Sequence, residues 1–315
     1  MGSAKSGLAA IAALIMALTG ASAEESSMPE DIAWKLLELG RVIDPPKTAA
    51  LYAPLQPKEP YRGMKVERDV KYGPSDRNLL DVFTREAASS SLPVLIFVHG
   101  GAFVAGNKRT GDSPFYDNVM LWAVKNGFVG VNMTYRLAPQ APWPAAAEDL
   151  SAAVHWVTDQ IASRGGDPAR VYLMGHSAGA AHVATYTSHP EFWGSTGSRL
   201  AGVILVSGLY DLTGMPTDAG PSAYYGGDPT LYAERSSVIG LTQTRTPIMI
   251  ATAELDPPMF QQQLNLLKNS LCNSEHGCVR SFVLPQHNHM SEIYSINTSD
   301  DQLTREILEF VASGK

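Results

Sequence analysis

Ser177 has the sequence surroundings of a catalytic nucleophile. It stands in the pentapeptide GHSAG at 175–179, after the short apolar run Val171–Met174 and before a segment compatible with a helix. Glycine on both sides of one exposed hydroxyl permits a tight strand-to-helix turn, the nucleophile elbow, whose strained backbone aims the serine Oγ at a substrate. Because G-x-S-x-G also occurs by chance in ordinary loops, the rest of the chain decides its meaning.

A second glycine turn offers backbone amides to the same reaction. His99 and Gly100-Gly101-Ala102 directly follow the apolar run Val94–Val98. Glycines at the carboxyl end of a strand let the backbone approach a ligand and point its N–H groups inward. We expect the amides of Gly101 and Ala102, helped by Gly100, to join that of Ala178 in an oxyanion hole.

The groups that could activate Ser177 lie further along the chain. A serine hydroxyl is a poor nucleophile at neutral pH and needs a base, which is itself oriented by an acid. Asp256 follows the apolar run Ile248–Ala251, and His289 follows the run that ends at Leu284. The order serine, acid, histidine is one of the known chain orders of a catalytic triad.

Both partners of Ser177 have alternatives in the sequence. His287 lies two residues before His289; we favour His289 because a hydrophobic residue follows it. Glu254 could replace Asp256, but Asp256 lies deeper in the loop and precedes a proline that fixes the turn. Asp211 is a weaker third candidate for the acid.

The apolar runs predict an α/β fold. Val66–Tyr72 and Leu79–Thr84 predict an opening hairpin. Six later runs are almost continuously apolar, as expected of parallel strands buried on both faces: Val94–Val98, Phe128–Met133, Val171–Met174, Val203–Val206, Ile248–Ala251 and Ser281–Leu284. Predicted helices alternate with them: Phe115–Lys125, Ala145–Ser163, Ala178–Ser188, Pro258–Leu271 and Asp301–Ala312. This alternation predicts an eight-stranded, mostly parallel, doubly wound sheet with an antiparallel start and helices on both faces.

The chain divides into three predicted parts. Residues 1–23 carry Lys5, an apolar run and an Ala-x-Ala exit, which predicts a secretory signal peptide cleaved after Ala23. Residues 24–64 predict a helix at Pro29–Leu39 and a proline-rich connector at Asp44–Pro60, which we interpret as a lid or arm outside the sheet. Residues 65–315 predict one domain, in which 208–247 form an inserted lid.

Location and partners follow from the leader and the composition. A signal peptide implies a secreted or periplasmic protein; a signal anchor or a buried helix is the alternative reading of 1–23. No later segment is long and apolar enough for stable membrane insertion, and a net charge of −7 without a basic run argues against nucleic acid. In an oxidising compartment the two cysteines, Cys272 and Cys278, predict a local disulfide, with two free thiols as the alternative.

These motifs together resemble the hormone-sensitive-lipase-like esterases of the α/β-hydrolase superfamily. The YRLAP run at 135–139 and the downstream Asp149 are more specific than the elbow alone, and the resemblance covers roughly residues 90 to 295. It implies that Arg136 braces the loop behind the oxyanion turn and is not catalytic. Two positions depart from that family. Ala102 stands where a third glycine is usual, and His176 stands where an acidic residue is usual. A histidine before the serine resembles the elbow of an arylformamidase-like branch.

The sequence therefore predicts a serine hydrolase that cleaves small to medium carboxylic esters through an acyl-enzyme, without a metal or an organic cofactor. An arylformamidase or a lactonase could use the same triad, because leaving-group preference depends on pocket shape. A catalytically inactive binding module is disfavoured, since serine and histidine are both present. Four aromatic residues are candidate walls of the substrate pocket, with ordinary core as the alternative: Phe103, Trp143, Tyr224 and Tyr225. No oligomeric state is predicted.

Overall fold

All eight predicted strands pair in one sheet. The structure is a computed structural model that describes residues 28–87, 91–215, 220–275 and 277–314. Its strands are β1 (Met64–Lys71), β2 (Leu79–Arg85), β3 (Leu92–Val98), β4 (Val129–Met133), β5 (Gly166–His176), β6 (Gly202–Val206), β7 (Ile248–Ala253) and β8 (Arg280–Leu284). Their order is β1-β2-β4-β3-β5-β6-β7-β8, with β1, β2 and β4 antiparallel and all later pairs parallel. The predicted doubly wound sheet with an antiparallel start is confirmed.

Helices cover both faces of this sheet. The helices of the described chain are α1 (Glu30–Leu39), α2 (Pro45–Tyr52), α3 (Asp117–Lys125), α4 (Ala145–Gln160), α5 (Ala178–Ser188), α6 (Gly220–Tyr225), α7 (Tyr232–Arg235), α8 (Val238–Gln243), α9 (Pro258–Cys272), α10 (Ser291–Tyr294) and α11 (Gln302–Ser313). Helices α4, α5 and α9 pack in the apolar cluster on one face, and α3 and α11 pack in the cluster on the other. Strands β4, β6 and β7 are buried along their whole length, which explains their largely apolar sequences.

The N-terminal arm contains a helix that the sequence analysis did not predict. Residues from Asp44 onward were expected to form a connector, but α2 begins there. Asp44 caps the helix by accepting from the amide of Lys47, and prolines occupy its first turn, where no amide donor is needed. A third apolar cluster, which includes Leu36 and Tyr52 of the arm and Met290 and Tyr294 after β8, holds α1 and α2 against the loop that follows this strand.

The described residues of the insertion at 208–247 form three short helices, α6 to α8. Tyr224 and Tyr225 of α6 are buried in the core cluster, so this part of the insertion packs into the domain. The predicted disulfide is present between Cys272 and Cys278, just after α9, with the two Cα atoms 4.0 Å apart. The predicted signal peptide lies outside the described residues, and within the described ranges no helix has the length and apolar character needed to cross a membrane.

Candidate active site

Ser177 lies at the junction of β5 and α5 in a strained backbone conformation. Its φ and ψ are 56° and −123°, in a region that non-glycine residues rarely adopt, and its amide donates to the carbonyl of Val206 at 2.9 Å. The flanking glycines are sterically required. A Cβ on Gly175 would overlap the carbonyl of Gly179, and a Cβ on Gly179 would overlap the carbonyl of Val98. The GHSAG sequence therefore forms the sharp turn that its pattern predicts.

The glycine turn after β3 lies directly beside this elbow. A Cβ built on Gly100 would lie 2.9 Å from the Cβ of Ser177, and one on Gly101, whose φ is 136°, would overlap the backbone of Ala105. Ala102 continues the turn with a φ of 50°, a left-handed conformation that glycine adopts without strain, which gives a physical reason for the glycine usual at this position in the resembling family.

Three backbone amides in this region are free to bind an anion. The amides of Gly101, Ala102 and Ala178 have no acceptor among the described residues. Ala178 is also the first residue of α5, where the helix dipole favours negative charge. The turn and the elbow thus present donors to one place beside Ser177.

Asp256 and His289 form a buried acid–base pair. Nδ1 of His289 lies 2.7 Å from Oδ1 of Asp256, and both side chains are almost completely excluded from solvent. A carboxylate on Nδ1 places the proton there and leaves Nε2 as the basic nitrogen. Among the described residues the Ser177 hydroxyl makes no hydrogen bond in this structure, but Ser177 and His289 line the same cavity. Catalytic hydrogen bonds of this kind are often loose before substrate binds.

Four groups orient and stabilise the carboxylate of Asp256. Oδ2 accepts from Ser207 Oγ at 2.6 Å, from Thr252 Oγ1 at 2.5 Å and from the amide of Ala253 at 2.9 Å, while Oδ1 faces His289. Burial alone would raise the pKa of Asp256, but the hydrogen bonds from His289, Ser207 and Thr252 outweigh it and hold the pKa below its ordinary value. Asp256 is therefore ionised in the folded protein near neutral pH.

The alternatives to this pair lie elsewhere. His287 is also buried, but its Nε2 lies 3.2 Å from Asp300 and its Nδ1 lies 3.0 Å from Ser291 Oγ. Glu254 is exposed and accepts from the amide of Gln286, and Asp211 accepts from the amide of Thr213. The structure therefore brings His289 and Asp256 together and does not bring these three to Ser177.

The YRLAP segment supports the oxyanion turn from behind. Tyr135 Oη donates to the carbonyl of His99 at 2.7 Å, and the amide of Ala138 donates to the carbonyl of Phe103 at 3.1 Å. The backbone amide and the Nε of Arg136 both donate to Asp149 of α4. These contacts match the bracing role that the resemblance implies for Arg136.

A cavity of about 410 Å³ opens beside Ser177 and His289. Its other side-chain walls are Ile43 and Pro45 from the arm, Val104, Tyr116, Met290 and Tyr294. None of the four aromatic residues singled out in the sequence lines this cavity. Phe103, Tyr224 and Tyr225 are buried in mutual ring contact in the core, and Trp143 packs against His189 and Phe192.

The sequence reasoning thus missed the cavity walls. Met290 directly follows the predicted base, and its hydrophobic character was the one local signal for them. Ile43 and Pro45 carry no such signal because only tertiary packing brings the arm to the site. The described residues of the inserted segment at 208–247 do not line the cavity, whereas Ile43 and Pro45 of the arm do.

One group of side chains near the triad has the composition of a metal site. His176, His289 and Glu292 place potential ligand atoms within 4.8 Å of one another, all of them buried. One nitrogen of each histidine is already engaged: Nε2 of His176 lies 2.8 Å from the carbonyl oxygen of His289, and Nδ1 of His289 faces Asp256. Because a carbonyl oxygen can only accept, Nε2 of His176 carries a proton and cannot ligate a metal. We interpret the group as part of the hydrogen-bond network.

Comparisons with known proteins agree with this architecture. The chain is 29% identical over 246 residues to esterase LipQ of Mycobacterium tuberculosis, covering 71% of this chain and 57% of LipQ. It is 30% identical over 175 residues to the probable carboxylic ester hydrolase LipM of the same organism, covering 53% of this chain and 40% of LipM. The chain thus spans about half the length of these curated relatives.

A solved structure and a family model complete the comparison. Esterase B of Lactobacillus rhamnosis superposes with a TM-score of 0.68 at 18% identity, over 90% of this chain and 95% of that one, which shows a shared fold. The model of the BD-FAE family matches residues 80–271, which is more than half of the chain and includes Ser177 and Asp256. The chain therefore belongs to the BD-FAE family, and its fold is that of the α/β-hydrolase esterases.

Proposed function

We propose that this protein is a serine hydrolase that cleaves carboxylic esters through an acyl-enzyme. The observation that carries the proposal is the buried Asp256–His289 pair at 2.7 Å, which opens into the same cavity as Ser177 on its strained turn. The relatives named esterase or carboxylic ester hydrolase support the same activity.

In the proposed mechanism each residue has a defined step. His289 takes the proton of Ser177 as the hydroxyl attacks the ester carbonyl, and Asp256 stabilises the imidazolium that forms. The oxyanion of the tetrahedral intermediate is bound by the amides of Gly101, Ala102 and Ala178, and each such donor contributes roughly 10² to 10³ in kcat. His289 then protonates the departing alcohol, and a water molecule releases the acyl group by the same steps.

The cavity supports uncharged esters of modest size. Among the described residues that line it, none is Asp, Glu, Lys or Arg, and most are apolar. A volume of about 410 Å³ lies toward the lower end of typical ligand pockets, which range over roughly 300–1,000 Å³. Such a site fits uncharged substrates better than charged ones, and small to medium acyl groups better than large ones.

A substrate panel tests this activity. We expect the purified protein to hydrolyse p-nitrophenyl acetate and longer p-nitrophenyl esters, and S177A to lose turnover while the exposed-serine control S163A keeps it. The same panel includes an N-formyl arylamine and a lactone. Negligible ester turnover beside rapid formamide or lactone cleavage would replace the ester assignment with one of those activities, and equal turnover in S177A would contradict the mechanism.

We also propose that the protein is exported and works in the periplasm or outside the cell. The leader pattern of residues 1–23 supports this, and so does the Cys272–Cys278 disulfide, because disulfides persist in oxidising compartments. Expression of the full chain in a secreting bacterial host tests the proposal. We expect exported protein that begins at Glu24; uncleaved protein confined to the cytoplasm would contradict it.

A further inference from the structure

A second buried carboxyl lies beside the triad and takes no part in the steps above. Glu292 belongs to α10, three residues after His289, and its side chain is completely excluded from solvent. Neither of its oxygens has a well-oriented hydrogen-bond partner among the described residues. An ionised carboxylate without donors or a cation is very costly in a protein interior.

The neighbouring histidine does not supply a positive charge. His176 Nε2 lies 3.1 Å from Oε1 of Glu292 and 2.8 Å from the carbonyl oxygen of His289. Burial, reinforced by the nearby His289, lowers the pKa of His176 to about 3, so this imidazole is neutral at physiological pH. Its Nε2 proton is given to the carbonyl oxygen of His289, so this imidazole neither neutralises a negative charge on Glu292 nor supplies it with a well-oriented donor.

Three other titratable groups face Glu292, and among them the negative charge of Asp256 disfavours its ionisation. They are Asp256 from the acid loop, His289 from its own loop and Tyr210 from the segment after β6. Burial and the negative charge of Asp256 raise the pKa of Glu292 well above its usual range. Of the two carboxyl groups, that of Asp256 carries the negative charge, because four donors point at it.

Ser207 connects the two carboxyls. Its Oγ donates to Oδ2 of Asp256 at 2.6 Å and lies close enough to Glu292 to affect the pKa of that carboxyl. Since the single hydroxyl proton of Ser207 is given to Asp256, its oxygen can only accept from Glu292. A protonated Glu292 is the species that supplies this donor.

We propose that Glu292 is a protonated positioning residue of the triad: its carboxyl O–H donates to Ser207, and Ser207 donates to Asp256. In this arrangement each proton in the series of hydrogen bonds from Glu292 through Ser207 points toward Asp256. His176 holds the loop of His289 by donating to the carbonyl oxygen of His289. Glu292 holds the same loop through α10, the helix to which it belongs. The kinetic part of this proposal rests on the proposed ester hydrolase function.

Infrared difference spectroscopy tests the protonation state without any substrate. At neutral pH we expect the carbonyl stretch of a protonated carboxylic acid in the wild-type protein, shifted in D₂O and absent in E292Q. The matched control is E254Q, which removes an exposed carboxyl and is expected to leave that band unchanged. An unchanged band in E292Q would show that Glu292 is ionised and would overturn the proposal.

Kinetics test the positioning role. We expect E292Q, which keeps a donor and an acceptor, to lower kcat by about threefold, the size of a weakened hydrogen bond. We expect E292L, of similar size but without donor or acceptor, to lower kcat by about 10²-fold with little change in KM, as for a misplaced catalytic group. Equal losses in both variants, or full activity in E292L with unchanged thermal stability, would refute the role. If the wild type itself cleaves no ester, the proposed function fails while the infrared result still decides the state of Glu292.

Discussion

Replacing Thr252 by valine removes one donor from the catalytic acid without changing the shape of the side chain. Thr252 is fully buried, and its hydroxyl donates to Oδ2 of Asp256 at 2.5 Å. A hydrogen bond to a charged group contributes about 1.5–3 kcal/mol. The other donors to Asp256 remain, so we expect T252V to lose an amount in this range from its free energy of unfolding at pH 7, measured by urea denaturation.

The pH dependence of this loss identifies its cause. The pKa of Asp256 is lowered in the folded protein, so the folded state binds fewer protons than the unfolded state, and the associated stability is present above the unfolded pKa of about 3.9. It disappears as the pH falls through the folded pKa. T252V raises that pKa toward its ordinary value, and its deficit relative to wild type therefore narrows below about pH 4.

The control is T252S, which keeps the hydroxyl and loses a buried methyl group. We expect it to lose about 0.8 kcal/mol at every pH, the value for one buried methylene-sized group. If T252V and T252S lost the same free energy with the same pH dependence, the hydroxyl would contribute nothing to the carboxylate, and the reasoning about Asp256 would be wrong.

Three further substitutions test the turn, its brace and the cavity. G101A should lower kcat by about 10² to 10³-fold because its Cβ overlaps the turn and displaces an oxyanion donor, whereas G111A, at an open position with positive φ, should cost only stability. Y135F leaves the buried carbonyl of His99 without its donor and should lower the free energy of unfolding by about 1–3 kcal/mol in urea titrations. I43W narrows the cavity and should shift kcat/KM toward shorter acyl groups, while I239W, on an exposed site outside the cavity lining, should not.

Each of these three predictions has a result that would contradict it. Wild-type kcat in a folded G101A would remove its amide from the oxyanion hole. An unchanged unfolding free energy in Y135F would mean that the YRLAP segment does not brace the turn. The same acyl-length profile in I43W and wild type would show that the arm does not bound the substrate.

The strands and the order of the site residues could be predicted because they depend on local sequence. A strand buried on both faces is mostly apolar, and the apolar runs ending at Val98, Val206 and Ala251, which alternate with predicted helices, therefore indicate buried strands. The glycines of the elbow are likewise fixed by sterics within a few residues of Ser177.

The arm and the cavity could not be predicted in the same way. The prolines after Asp44 suggested a connector, although prolines in a first turn with an aspartate cap also begin a helix, as they do in α2. The choice between His287 and His289 depends on which buried carboxylate each one reaches, Asp300 or Asp256. That choice is made by tertiary packing, and a sequence separation of two residues carries no information about it.

Reaction with a fluorophosphonate, followed by intact mass and peptide mapping, tests the central claim most directly. The account predicts one covalent adduct per chain on the peptide that contains Ser177, and no adduct in S177A. A wild-type protein that stays unmodified, or an adduct on a different residue, would contradict the assignment of Ser177, His289 and Asp256 as one catalytic unit.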